Sequence, residues 1–302
     1  MRVLAAVDGS QQSNDAIQFV CRLLSEERDD LVLFFAAPGS FGVGDYLDSA
    51  QRFLASSVLD KAQSCVPQEF RLRVSTAVCG GEAGHSIVRM ANERHCDVIV
   101  IGARGIGPLR EPTLGSVARH VVNHARVPVV VSRHHASRKA DQLKVLLASD
   151  GSLTSRHATE VMNRFNWPKR TSGMALTVVE STLQAHLPNW LEEQLEEAEL
   201  EALGMGRFCC DEQQEAQLRA EAANWYGCLP DFFSGRDPLI AVGHAGKAIL
   251  DAIAAHQIDL VVVGARRLGP IQRLFLGSTS SQVVSYAPCS VLVAPGTRED
   301  MT

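Results

Sequence analysis

The residues with the plainest chemical reading are three glycines, a serine and an aspartate. In "DVIVIGARGIGPLREPTLGSVARHV", residues 97–121, a β-branched run ends at Gly102, Gly105 follows, and Gly115 and Ser116 come ten positions later. Glycine lets backbone approach a phosphate closely, and a helix that opens on Gly-Ser presents unpaired N–H groups with the positive end of its dipole behind them. Asp8 closes a second apolar run, "VLAAVDGS" at 3–10. If both runs are strands of an open α/β sheet, their carboxyl ends share the crevice in which such sheets bind ligands. The implied chemistry is phosphate binding by backbone, with one carboxylate nearby.

Other nucleotide signatures fail. The pattern G-x-x-x-x-G-K-[ST] has only a near miss in "GHAGKA", 243–248, and G-x-G-x-x-G is broken by Arg110. His85 and His120 are candidates for proton transfer, but each sits in a helical pattern and reads as a surface or packed histidine. The eight cysteines, at 21, 65, 79, 96, 209, 210, 228 and 289, include no C-x-x-C pair and no His at metal-ligand spacing. They read as buried small hydrophobes, with the adjacent Cys209 and Cys210 as the redox alternative. No metal ligand and no catalytic residue is assigned.

The elements that must position these residues are written twice. "VLAAVDGS" at 3–10 recurs as "VLLASDGS" at 145–152, and "DVIVIGARGIGP" at 97–108 recurs as "DLVVVGARRLGP" at 259–270. The first pair is offset by 142 residues and the second by 162, so the second copy carries 20 more residues between its motifs. At 302 residues the chain is long enough for two domains. Each copy alternates short β-rich runs with helical patterns, which predicts parallel strands joined by crossover helices. Strands are expected at 2–7, 31–37, 70–78, 97–101 and 127–132, and helices at 11–27, 45–65, 83–95 and 115–125. In the second copy the strands fall at 143–149, 173–180, 236–242, 259–263 and 289–294. The fold class is α/β, two tandem doubly wound parallel-sheet domains of five strands, spanning 1–134 and 143–297 with a polar linker between them. The extra residues lie in 183–227, where Leu191, Leu195 and Leu203 among glutamates predict an acidic amphipathic helix. It reads as a lengthened crossover or as an arm for an unknown protein partner.

The net charge of −5 and the lack of Lys/Arg clusters argue against a nucleic-acid surface. The apolar runs fall far short of the roughly 20 residues of a membrane span, so neither nucleic acid nor membrane is expected as a partner. A cytosolic, cytoplasmic location follows as an expectation.

The pattern Gly102, Gly105, Gly115, Ser116, together with "V-D-G-S" at 7–10, resembles the universal stress proteins, whose nucleotide-binding members carry G-x2-G-x9-G-[ST]. The likeness covers both halves, as in a tandem member. It implies an adenine-nucleotide alpha-hydrolase-like fold with ATP at the carboxyl ends of the first and fourth strands, and Mg²⁺ shared by the phosphates. Asp8 is then placed near adenine and ribose, and Ala36 offers backbone to the base. Gly102, Gly105, Gly115, Ser116 and Val117 hold the triphosphate, and Arg104 adds charge to it.

The second copy keeps Asp150, Gly264, Gly277 and Ser278 but has Arg267 at the second glycine, which puts nucleotide binding there in doubt. The expected function is an ATP-binding, nucleotide-dependent regulatory module of the stress response. The alternatives are a slow ATPase or nucleotidyl transferase and a ligand-free scaffold. The resemblance also implies that the last strands, in 127–133 and 289–296, pair edge to edge. That contact can close within one chain, with further homodimerisation open.

Overall fold

The computed structural model describes residues 1–39, 48–105, 114–133, 141–179, 227–234, 237–265 and 276–296. The predicted helix within 183–227 (apart from Gly227), the pair Cys209 and Cys210, and Arg267 lie outside them. In the first half the elements are β1 (Arg2–Ala6), α1 (Gln11–Cys21), β2 (Asp30–Ala37), α2 (Ser49–Ser64), β3 (Val74–Gly80), α3 (Ala83–Glu93), β4 (Val98–Gly102), α4 (Ser116–His124) and β5 (Val129–Ser132). In the second they are β6 (Gln142–Ala148), α5 (Leu153–Asn163), β7 (Arg170–Val179), β8 (Leu239–Val242), α6 (Ala245–His256), β9 (Leu260–Ala265), α7 (Ser278–Tyr286) and β10 (Ser290–Pro295).

The strands form one ten-stranded sheet in the order β3-β2-β1-β4-β5-β10-β9-β6-β7-β8. Within each half all pairings are parallel, as crossover helices require. The halves meet at an antiparallel junction in which Val129, Val130 and Val131 face Val293, Leu292 and Val291. Each half is thus a doubly wound unit, and the expected edge-to-edge pairing of last strands closes within the chain.

Strand residues alternate between two apolar layers. Val3, Ala5 and Val7 pack with Ile17, Val20 and Leu59 on one face, while Leu4 and Ala6 pack with Ile87, Ala118 and Val121 on the other. Both layers continue across the junction, through Val130 and Leu292 on the first face and Val131 and Val291 on the second. Burial on both faces explains why these strands read as unbroken apolar runs. Arg133 ties the junction further. Its guanidinium donates to the carbonyls of Val284 (2.5 Å), Ser285 (3.3 Å) and Cys289 (3.4 Å), near the end of α7, and its backbone N–H donates to Ser290 Oγ (3.1 Å). Cations favour the carbonyl end of a helix.

The starts of β7 and β8 move by three residues from the predicted bounds, and two larger shifts have a local cause. The helix expected over 11–27 ends at Cys21, because Ser25 N–H donates to the Asp29 carboxylate (2.7 Å) in a turn that leads into β2. The strand expected from residue 70 begins at Val74. Gln68–Arg73 is instead a 3₁₀ turn started after Pro67, and it buries Phe70 under the sheet edge.

Candidate functional site

The strand order reverses between β1 and β4, which pair directly from Val3↔Val98 to Ala6↔Ile101. Open α/β sheets leave a crevice beyond the carboxyl ends of two such strands. A cavity of about 400 Å³ lies there. Asp8, Ala36, Gly102, Arg104, Gly105, Gly115, Ser116 and Val117 all line it, so the sequence-predicted residues come together. Its apolar wall includes Phe34, Phe35, Ile87, Ile101 and Leu114.

The glycines are bare for distinguishable reasons. None of the three has a left-handed φ, so conformational freedom is not what selects glycine here. A Cβ at Gly102 would sit 3.3 Å from Gln12 backbone in the first turn of α1. A Cβ at Gly105 would collide with an Asp8 carboxylate oxygen. At Gly115 it would lie 3.3 Å from the Ala103 carbonyl, to which Gly115 N–H already donates (2.8 Å). These close approaches fold the Gly102–Gly105 turn against Asp8 on one side and the start of α4 on the other.

Side-chain caps are present at four of the described helices and absent at α4, α6 and α7, each of which borders a cavity. Ser10, Asp48, Glu82 and Ser152 cap α1, α2, α3 and α5 with their side chains. Gly115 opens α4 with no side-chain cap, and no acidic residue lies in its first turn. Among the described residues no side chain caps its leading N–H groups, which suits them to an anionic acceptor. Ser116 is the first helical residue, with its side chain exposed beside the cavity.

Sequence reasoning missed Gln12 and Ser13. Gln12 Oε1 accepts from the Arg104 backbone N–H (2.8 Å) and so pins the glycine turn, while Ser13 lines the cavity. Only contact across 92 residues reveals Gln12, and no spacing signal marks it. Asp8 Oδ1 accepts from Ser10 N–H (3.0 Å), which orients its carboxylate.

The second half has a matching cavity of about 390 Å³, lined by Asp150, Gly264, Gly277 and Ser278. Gly277 likewise opens α7 without a side-chain cap. Its wall is richer in hydroxyls, with Ser149, Thr154, Ser155, Thr279 and Ser280. The near-miss "GHAGKA" falls at the β8–α6 turn, where His244 precedes α6 and Ala245 lines this cavity.

Among the described cysteines, Cys21, Cys79, Cys96 and Cys289 are buried as expected, whereas Cys65, at the end of α2, is half-buried and Cys228, in a turn, is exposed. Burial pushes the thiols of Cys21 and Cys289 up to about 12 and that of Cys96 to about 11. No helix of the described residues is long and apolar enough to cross a membrane.

A universal stress protein of Mycolicibacterium smegmatis is 27% identical over 307 aligned positions, covering 96% of each chain. One from Thermus aquaticus is 34% identical over 149 positions, covering 49% of this chain and 96% of its own. The crystal structure of a universal stress protein from Archaeoglobus fulgidus superposes over 99% of this chain and 97% of that one, with a TM-score of 0.66 at 18% identity. The sequence model of the universal stress protein family matches residues 1–133 and 233–295. The chain belongs to the universal stress protein family.

Proposed function

We propose that the first half binds ATP and that the protein is a nucleotide-dependent regulatory module. The observation that carries this is the uncapped start of α4 facing the Gly102–Gly105 turn in one cavity. That arrangement offers backbone N–H groups and a favourable helix dipole to an anion. The apolar wall of Phe34, Phe35, Ile87 and Ile101 suits a flat base, with the backbone of Ala36 beside it. Asp8 suits a ribose hydroxyl, since a carboxylate accepts from hydroxyls and repels phosphate. Arg104, also on the cavity, supplies positive charge to the phosphates. In this reading Mg²⁺ is held by the phosphates themselves. Asp8 is the one carboxylate among the described lining residues, and no histidine is among them, which favours binding over turnover.

Calorimetric titration of the full chain tests the reading. ATP should bind saturably, and adenosine at least about tenfold more weakly, because it lacks the groups that α4 receives. Flat titrations with both ATP and ADP would overturn it.

A further inference from the structure

Among the described residues, Glu82, His85 and His120 bring one ligand atom each to within 4.8 Å of one another, outside the residues that line the cavity. Glu82 precedes α3 and accepts from the backbone N–H groups of Gly84 (3.0 Å) and His85 (2.9 Å), and its carboxylate also touches the His85 ring. A carboxylate has about four lone-pair sites, so these contacts leave capacity for a cation. His120 comes from α4. A Cβ on Gly84 would lie 2.7 Å from the His120 ring, so the two helices approach this closely only because residue 84 has no side chain. His120 Nε2 is buried without a hydrogen-bond partner. His124 stacks on the same ring with centroids 4.0 Å apart, and its Nδ1 donates to the His120 carbonyl (2.8 Å), which fixes the pair.

The bland account is a helix cap beside a packed histidine. The duplication supplies a control for it. At the offset of 162 residues, α6 and α7 stand where α3 and α4 do, and Gly246 again has no room for a Cβ, here against the Gln282 side chain (Cδ 2.6 Å). The close helix packing is kept. The donors are not, since His244, Lys247 and Gln282 occupy the places of Glu82, His85 and His120. The fold therefore needs the glycine and not the Glu-His-His set.

We infer that Glu82, His85 and His120 form a binding site for a first-row divalent cation of the zinc type. Two imidazoles and a carboxylate are the N/O donors such ions take, and a solvent molecule completes a tetrahedron. Donors about 2.0–2.2 Å from one ion lie within roughly 4 Å of each other, so small side-chain adjustments suffice. The ion would clamp α3, whose Ala83 lines the cavity, to α4, whose Val117 and Ala118 do the same. The three donors lie outside the cavity lining, so the site is independent of what the cavity binds.

Equilibrium dialysis of the full chain against Zn²⁺, before and after cysteine alkylation, tests it. His120→Gln copies the residue that the second half carries at the matching place, so it should fold. His85→Ala alters an exposed side chain. Each should lose one bound zinc from the alkylated protein, with affinity lower by at least about the 10–100-fold that follows loss of a group merely supporting a ligand. The Co²⁺ complex should show ligand-field bands without a thiolate charge-transfer band. Unchanged zinc stoichiometry and affinity in both variants, with their melting curves confirming that they fold, would overturn the site. So would a cobalt spectrum dominated by thiolate.

Discussion

At the scale of single residues, the cavity depends on what side chains are missing. Gly105 faces the Asp8 carboxylate, so Gly105→Ala must push Asp8 aside. The displaced atom is the end of a short, movable side chain, so stability should change by no more than about 1 kcal/mol. ATP affinity should fall by at least about tenfold, because the turn and Asp8 move together. Calorimetry alongside a denaturant melt reads both, and equal affinity in the variant would refute the placement. In the second half the contrast is Arg267 in place of the second glycine. The expected stoichiometry is one ATP per chain, rising toward two in Arg267→Gly, since the second cavity retains Asp150, Gly277 and Ser278. Two sites of similar affinity in the native chain would instead show that the arginine serves a phosphate.

At the scale of elements, each half uses an aspartate to latch its two central strands. Asp97 accepts from Arg2 N–H (2.7 Å) just before β4, and Asp259 accepts from Lys144 N–H (2.8 Å) just before β9. Asp97 also pairs with Arg164 (2.7 Å), which joins α5 of the second half to the first. Burial tends to raise the Asp97 pKa, but the Arg164 and Arg2 hydrogen bonds and the Arg164 charge outweigh it and hold the carboxyl below its ordinary value. A group whose folded pKa is depressed stabilises the fold above its unfolded value, about 3.9, and loses that contribution as pH falls through the folded one. Asp97→Asn should therefore lower the urea midpoint at pH 6, and the gap from the native chain should close as pH falls below about 4. A gap that stays constant down to pH 3 would mean the charge is not what matters.

The whole molecule is one sheet, and its stability should be shared. The antiparallel seam of Val129–Val131 against Val291–Val293 is buried, and both apolar layers cross it. All three tryptophans, at 167, 190 and 225, belong to the second half, so fluorescence reports that half while far-UV circular dichroism reports both. The two signals should give coincident urea transitions. Separated transitions would show that the seam does not couple the halves. A chain cut to residues 1–134 would bare the β5 edge and should self-associate, with light scattering giving twice the fragment mass.

Much of this was readable from the sequence, and the reason is local. Strands buried on both faces must be apolar at nearly every position, so Leu31–Phe35 and Val98–Ile101 announce themselves, and a duplicated chain prints the announcement twice. Glycine spacing likewise marked the residues that line the first cavity, because close backbone approach admits few substitutes. Elements governed by capping were less legible: α1 stops early through the Ser25–Asp29 turn, and Pro67 diverts Gln68–Arg73 into a 3₁₀ turn, although both stretches have apolar spacing that suits regular structure. What only the tertiary structure decided is which distant residues meet. Gln12 reaches the Arg104 backbone, and His120 reaches Glu82 and His85 across the α3–α4 packing. Read singly, each of those histidines is an ordinary helical residue. Their juxtaposition comes from helix packing over a glycine, a contact between elements that no spacing along the chain encodes.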